Sequence, residues 1–290
     1  MNYTFTHLLK RANKASGYRL MFLLVLLLFS NVAVYAGGRP VGKKRLFIIA
    51  TSSYYFANRF WDENGNSQPY AYNGKYSTLS LTINAEYGLS RRVSLSASIP
   101  YSANFLNSTA GNTTNAALGD ASVGVNYYIA NIAYRTYFSI QGNFLFPLYQ
   151  NSLTQDHGYG ELAANTQFLA AGDFKLWDKS FSFGANVGAS QYFGSLAPFQ
   201  LTFGGSLGFT VSKKNQISLS ETTATSYSPS KAFDPNSPVP AKDYTFNEIT
   251  GTFAHNISRN RSLFFSATRF INGKNTGIGN TVSVGYTYKY

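Results

Sequence analysis

The stretch Thr78-Leu79-Ser80-Leu81-Thr82-Ile83-Asn84-Ala85-Glu86-Tyr87 decides the fold. In an extended chain successive side chains point to opposite faces. Leu79, Leu81, Ile83, Ala85 and Tyr87 therefore share one face, and Thr78, Ser80, Thr82, Asn84 and Glu86 share the other. The next run sets Val93, Leu95, Ala97, Ile99 and Tyr101 against Ser94, Ser96, Ser98 and Pro100. Further on, Phe181, Phe183, Ala185, Val187 and Ala189 oppose Ser182, Gly184, Asn186, Gly188 and Ser190. The chain ends with Val282, Val284, Tyr286, Tyr288 and Tyr290 set against Thr281, Ser283, Gly285, Thr287 and Lys289.

A soluble sandwich also alternates, so three further features are needed to choose between the readings. Connection lengths alternate. Short turns fall near 88–92, 130–132, 173–179, 212–215 and 256–261, and longer polar loops near 57–75, 103–117, 150–159, 194–198, 228–242 and 272–279. Five short and six long connections join twelve strands, in the short-turn, long-loop rhythm of outer-membrane barrels. The hydrophilic faces consist of Ser, Thr, Gly, Asn and Gln with few charges, which suits a wetted bore. The last strand ends on Tyr290. The fold class expected is all-β: a closed antiparallel transmembrane β-barrel of about twelve strands.

Composition agrees. Only 12% of the 290 residues are charged and 17% are aromatic, against about a quarter charged in a soluble domain. Tyr with 22 copies and Phe with 24 can furnish aromatic girdles at both membrane interfaces. Cysteine is absent, which excludes a lipoprotein anchor, thiolate metal sites and disulfides.

Residues 1–36 read as a cleaved signal peptide. Lys10, Arg11, Lys14 and Arg19 form a basic region, Leu20 to Phe29 is an apolar run, and Val34 and Ala36 are small residues before the cleavage point. The apolar run is about half the length of a membrane-spanning helix. Residues 37–290 then form the barrel, with no second domain, and the segment 37–44 is too short for a folded plug. Four of the 24 basic residues belong to the signal segment, leaving 20 against 12 acidic. Many of these lie in turns (Arg91, Arg92, Lys213, Lys214, Arg259, Arg261) and they are not clustered in one basic arm, so no nucleic-acid partner is expected.

Two strands resist a simple phase. Strict alternation over 217–227 turns Glu221 toward lipid, where an unpaired charge is costly, and a β-bulge before it would return it to the bore. Glu248 poses the same difficulty in 244–255, and the apolar block Leu46, Phe47, Ile48, Ile49 fits neither face cleanly.

A series of short motifs resembles the outer-membrane transporters related to the meta-pathway of phenol degradation. Asn73-Gly74 precedes the second strand, which ends Glu86-Tyr87-Gly88-Leu89. Ile99-Pro100-Tyr101 closes the third strand and Leu118-Gly119-Asp120 opens the fourth. A strand end from Gly142 to Pro147 follows, then His157-Gly158-Tyr159-Gly160, and finally Gly273-Lys274-Asn275-Thr276 before the last strand. The resemblance spans nearly all of the mature chain. It implies a channel or transporter for passive uptake of small, often hydrophobic or aromatic molecules, and it carries no defined substrate site.

Candidate lumen residues are Glu86, Asp120, Arg135, Glu161 and Lys289, with Asp120 and Glu161 near the outer mouth and Glu86, Arg135 and Lys289 toward the periplasm. They constitute either a selectivity element or an ion-paired network that knits the wall. The rival classes are an enzyme and a structural or adhesive barrel. Catalysis has little to rest on: His157, in an outer loop beside Asp156, and His255, near a periplasmic turn, are the mature chain's histidines and should not meet. The Pro-rich loop with Pro229, Pro235, Pro238 and Pro240 suits adhesion, or simply a loop kept from pairing. No cofactor, metal or catalytic residue is assigned. The partners expected are the lipid bilayer with lipopolysaccharide, the outer-membrane assembly machinery recognising the strand that ends at Tyr290, and a small-molecule solute.

Overall fold

The computed structural model describes residues 38–150, 158–235, 237 and 241–290. The signal segment 1–36 and His157 lie outside the described residues, as do Pro238 and Pro240. The strands are β1 (Leu46–Trp61), β2 (Ser67–Pro69), β3 (Lys75–Gly88), β4 (Val93–Ser108), β5 (Gly111–Leu118), β6 (Asp120–Ile132) and β7 (Thr136–Pro147). They continue as β8 (Leu162–Leu176), β9 (Lys179–Phe193), β10 (Phe199–Thr210), β11 (Asn215–Tyr227), β12 (Tyr244–Asn256), β13 (Arg261–Lys274) and β14 (Thr276–Lys289).

Each long strand pairs antiparallel with the next, and β14 pairs back onto β1 from Phe47↔Lys289 to Trp61↔Thr276, which closes the sheet. β5 and β6 lie end to end along β4, interrupted at Gly119, and form a single stave. β2 is a short clip on the loop end of β1. The wall is therefore a closed twelve-strand antiparallel barrel. Closure leaves no open sheet edge within the wall, the condition for placing backbone in hydrocarbon. A strand of 13 residues such as β11 measures about 43 Å and, tilted by about 40°, rises about 33 Å, enough for an apolar band about 25 Å tall.

The wall is inside out relative to a soluble protein. Leu79, Leu81 and Ile83 are 45%, 47% and 49% exposed, whereas Ser94, Asn126 and Ser139 are buried to 2% or less. Outward aromatics occur toward both ends, among them Phe193, Phe199 and Tyr227 near the long loops and Tyr87 and Tyr127 near the short turns. Two short turns are minimal. Ala133 and Tyr134, in the three-residue connection between β6 and β7, and Trp177 and Asp178, which alone join β8 to β9, take positive φ as the central pair of their turns, whose backbone twist matches that of the flanking strands.

Several expectations need correction. The stretch 103–117 is not a loop: β4 and β5 pair from Tyr101↔Leu118 to Ser108↔Gly111, and only Thr109 and Ala110 connect them. Likewise 272–279 is mostly paired, with Asn275 alone between β13 and β14. No bulge precedes Glu221. β11 runs in unbroken register with both β10 and β12, so Glu221 stays on the outer face with Leu219. Glu248 presents no difficulty, because it and Phe246 both point into the bore; the bulge in that region lies on β13, opposite Asn247 and Glu248. Phe47 and Ile49 likewise take the inward phase of β1, in register with Glu86 and Asn84.

The segment before β1 does more than its length suggested. Gly38 packs on Ala171 of β8, and Arg39 forms a 2.5 Å ion pair with Asp173. Gly42 presses on Gly88 of β3, and Lys44 N donates to Gly88 O at 2.7 Å. β3 and β8 are four staves apart, so residues 38–44 cross the bore as a strap at its short-turn end.

Candidate functional site

The long-loop end of the bore is aromatic. Tyr55 and Tyr76 point inward because they share the phase of Ser53 and Thr78, and their rings meet edge to face at 6.1 Å. Tyr55 also lies 5.7 Å from Phe270, which lies 5.1 Å from Phe246, which stacks on Tyr244 at 5.8 Å. Together with Tyr70 and Phe233 these rings enclose a cavity of about 250 Å³. A second cavity of about 310 Å³ shares Tyr244 and is lined by Asp120, Tyr149, Tyr159, Tyr192, Gln200 and Ser102. Burial pushes the Tyr70 and Tyr159 hydroxyls above the ordinary phenol range, so both stay protonated.

The loop between β11 and β12 covers this mouth. Phe233 packs on Phe60 at 5.5 Å, and Ser228 Oγ donates to Leu196 O at 2.8 Å. Its far end is held by Asp243, whose Oδ1 lies 2.6 Å from Lys231 Nζ and whose Oδ2 lies 3.3 Å from Lys274 Nζ. Burial pushes the Asp243 carboxyl up, but the two lysines outweigh it and hold it below the usual carboxylate range. The Asn275 side chain, itself buried, donates to Asp243 O at 2.8 Å, and Tyr159 OH donates to Ala241 O at 2.8 Å. Four neighbouring segments thus latch one loop.

Below the aromatic mouth the bore is polar. Ser96, Asn143, Asn165 and Ser190 form one hydrogen-bonded chain around the wall, with links of 3.1, 3.4 and 2.8 Å. Gly124 makes room for it, since a Cβ there would strike the Asn143 side chain.

The five candidate residues separate into three places. Asp120 lines the second cavity, and Glu161 lies nearby in the loop before β8, paired with Lys242 at 3.1 Å. Glu86 and Lys289 sit at the short-turn end, in one ladder row on either side of Phe47. Ser94 Oγ donates to Glu86, and Lys289 Nζ lies 5.7 Å over the Phe47 ring. Arg135 is not in the bore: it is exposed in the turn between β6 and β7, where its N–H closes the hairpin onto Ile132 O. His255 Nδ1 lies 2.7 Å from Asn215 Oδ1 near a short turn. Among the described residues no group of three or more His, Cys, Asp or Glu could hold a metal ion.

Reading the sequence for charge missed the aromatic cluster and the Lys231–Asp243–Lys274 latch. The signal was present, because Tyr76, Tyr192 and Tyr55 occupy the same phase as the polar inward residues of their strands.

No family model matches the chain, and no curated protein matches it. Solved structures do. The COG4313 outer membrane channel from Pseudomonas putida F1 superposes with a TM-score of 0.64 at 12% identity, covering 89% of this chain and 100% of that one. The fold is that of an outer-membrane β-barrel. The transport unit of the autotransporter AIDA-I from Escherichia coli also superposes, with a TM-score of 0.50 at 10% identity, over 91% of this chain and 96% of that one. At these identities the likeness is one of architecture.

Proposed function

We propose that the chain resides in the bacterial outer membrane, reached through a cleaved signal peptide, and passively admits small hydrophobic or aromatic molecules. The observation that carries this reading is the ring cluster of Tyr55, Tyr76, Tyr244, Phe246 and Phe270 at the mouth. Aromatic faces bind planar apolar solutes by stacking and by displacing water. The polar wall beneath offers such a solute no comparable surface, so a molecule that passes the mouth is not retained further down the bore. The likeness in fold to an outer membrane channel supports this, as does the resemblance of the short motifs to those of the phenol meta-pathway transporters. Asp120 would act on charged solutes at the mouth, where Lys242 neutralises Glu161, and Glu86 with Lys289 would act on solutes at the exit. The exposed aromatic Tyr290 supports recognition of the last strand by the assembly machinery.

A structural barrel without transport is the second reading, favoured by one observation: chain crosses the bore at both ends, as the latched loop and as the strap. Single-channel recording in planar bilayers separates the two. The channel reading expects discrete conductance steps and transient blockades by a phenolic solute, and a folded barrel with neither is structural.

A further inference from the structure

Two charges stand on the outer wall. Glu221 is the central residue of β11, exposed, in line with Gly205 on one side and Ile249 on the other. Ile249 in turn pairs with Arg269 of β13, so Glu221, Ile249 and Arg269 follow one another along a single ladder row and face the same way. Both charged residues are exposed, and neither has an ion-pair or hydrogen-bond partner among the described residues. Around them the wall is apolar and shallow. Ala185, Val187, Phe203, Gly205, Leu207 and Leu219 line a recess beside Glu221, and nothing lies within 4 Å of a Cβ placed on Gly205 or Gly251. Hydrocarbon can neither solvate a carboxylate nor neutralise a guanidinium, so isolated charges at this depth are costly.

We infer that this face binds a second copy of the chain. In a membrane both copies stand the same way up, so a two-fold axis between them runs along the bilayer normal. An axis beside Ile249 sets Glu221 of one copy opposite Arg269 of the other, and by symmetry the reverse. The face is thus complementary in charge to itself. Glu221 and Arg269 are two strand spacings apart, about 10 Å, and strand tilt separates their heights by about 6 Å, a gap an extended arginine side chain spans. The small residues Ala185, Gly205, Gly251 and Ala267 let the two walls approach closely, as small residues do between membrane segments. Such a contact would form two symmetry-related ion pairs, giving every charge a partner where lipid would give none.

The chain contains no cysteine, so cross-linking is clean. The Gly251→Cys variant, in intact outer membranes treated with a mild oxidant, is expected to give a disulfide-linked dimer, and Ile99→Cys on the opposite wall to give none. Adding E221R or R269E to Gly251→Cys places like charges across the axis and is expected to abolish the cross-link. Co-expressing the E221R and R269E chains, carrying different tags, is expected to restore it as a mixed dimer only. Heat-modifiable migration in gels confirms that each variant is a folded barrel. Equal cross-linking at residues 251 and 99, persistence of the cross-link in both charge variants, or failure of the mixed pair to form would overturn the inference. The last result would instead mark an ion pair within one chain.

Discussion

Arg39 pairs with Asp173 of β8, Nη2 to Oδ1 at 2.5 Å, and so fixes the N-terminal end of the strap to the wall four staves from β3, on which the strap's other end rests. Asp173 is about half exposed, and such a pair contributes at most about 1 kcal/mol. Asp173→Ala should therefore release the strap by no more than about fivefold and leave the barrel intact. Single-channel recordings should show more frequent open events with unchanged heat modifiability.

Gly88→Ala tests the strap from its other end. A Cβ on Gly88 would collide with the Gly42 backbone, which cannot yield without leaving the bore. The variant should gain conductance, and proteolysis near Lys43 and Lys44 should accelerate.

The loop latch depends on Asp243. Asp243→Asn loses two charge-assisted hydrogen bonds, worth about 1.5–3 kcal/mol each at most and less here because Lys231 and Lys274 are partly exposed. Trypsin cleavage after Lys231 in folded protein should rise about tenfold or more, and the wild-type rate in the variant would refute the latch.

The same carboxylate gives the mouth a pH dependence. Its folded pKa is depressed, so its contribution is complete above the unfolded value of about 3.9 and is lost as pH falls through the lower folded value. Channel noise from the loop should be constant from pH 7 to 5 and grow below about pH 4. In Asp243→Asn this acid step should be absent.

Much of the fold was legible because the membrane imposes a two-residue period on every wall strand, and the runs 78–87 and 93–101 keep it without interruption. The hairpin of β4 and β5 was not, since Asn, Thr and Gly at 107–115 have a loop's composition although they are paired. The outward placement of Glu221 follows from phase alone, and the cost of a charge in lipid does not move it inward, because β11 keeps its register against both neighbours. The mouth was misjudged for a related reason. Aromatic residues were assigned to the girdles, whereas Tyr55, Phe246 and Phe270 follow their strands' inward phase and build the lining. Arg135 could not be placed from alternation, because the hairpin turns two residues before it and lifts it clear of the wall.

The most direct test measures flux into liposomes that carry the purified barrel, comparing a small phenol with a sugar of similar size, each corrected for protein-free vesicles. The account predicts faster entry of the phenol, with the advantage reduced in Phe246→Ala and Phe270→Ala and retained in Gln141→Ala on the polar wall. Equal rates for both solutes, or no entry beyond that of empty vesicles, would contradict it.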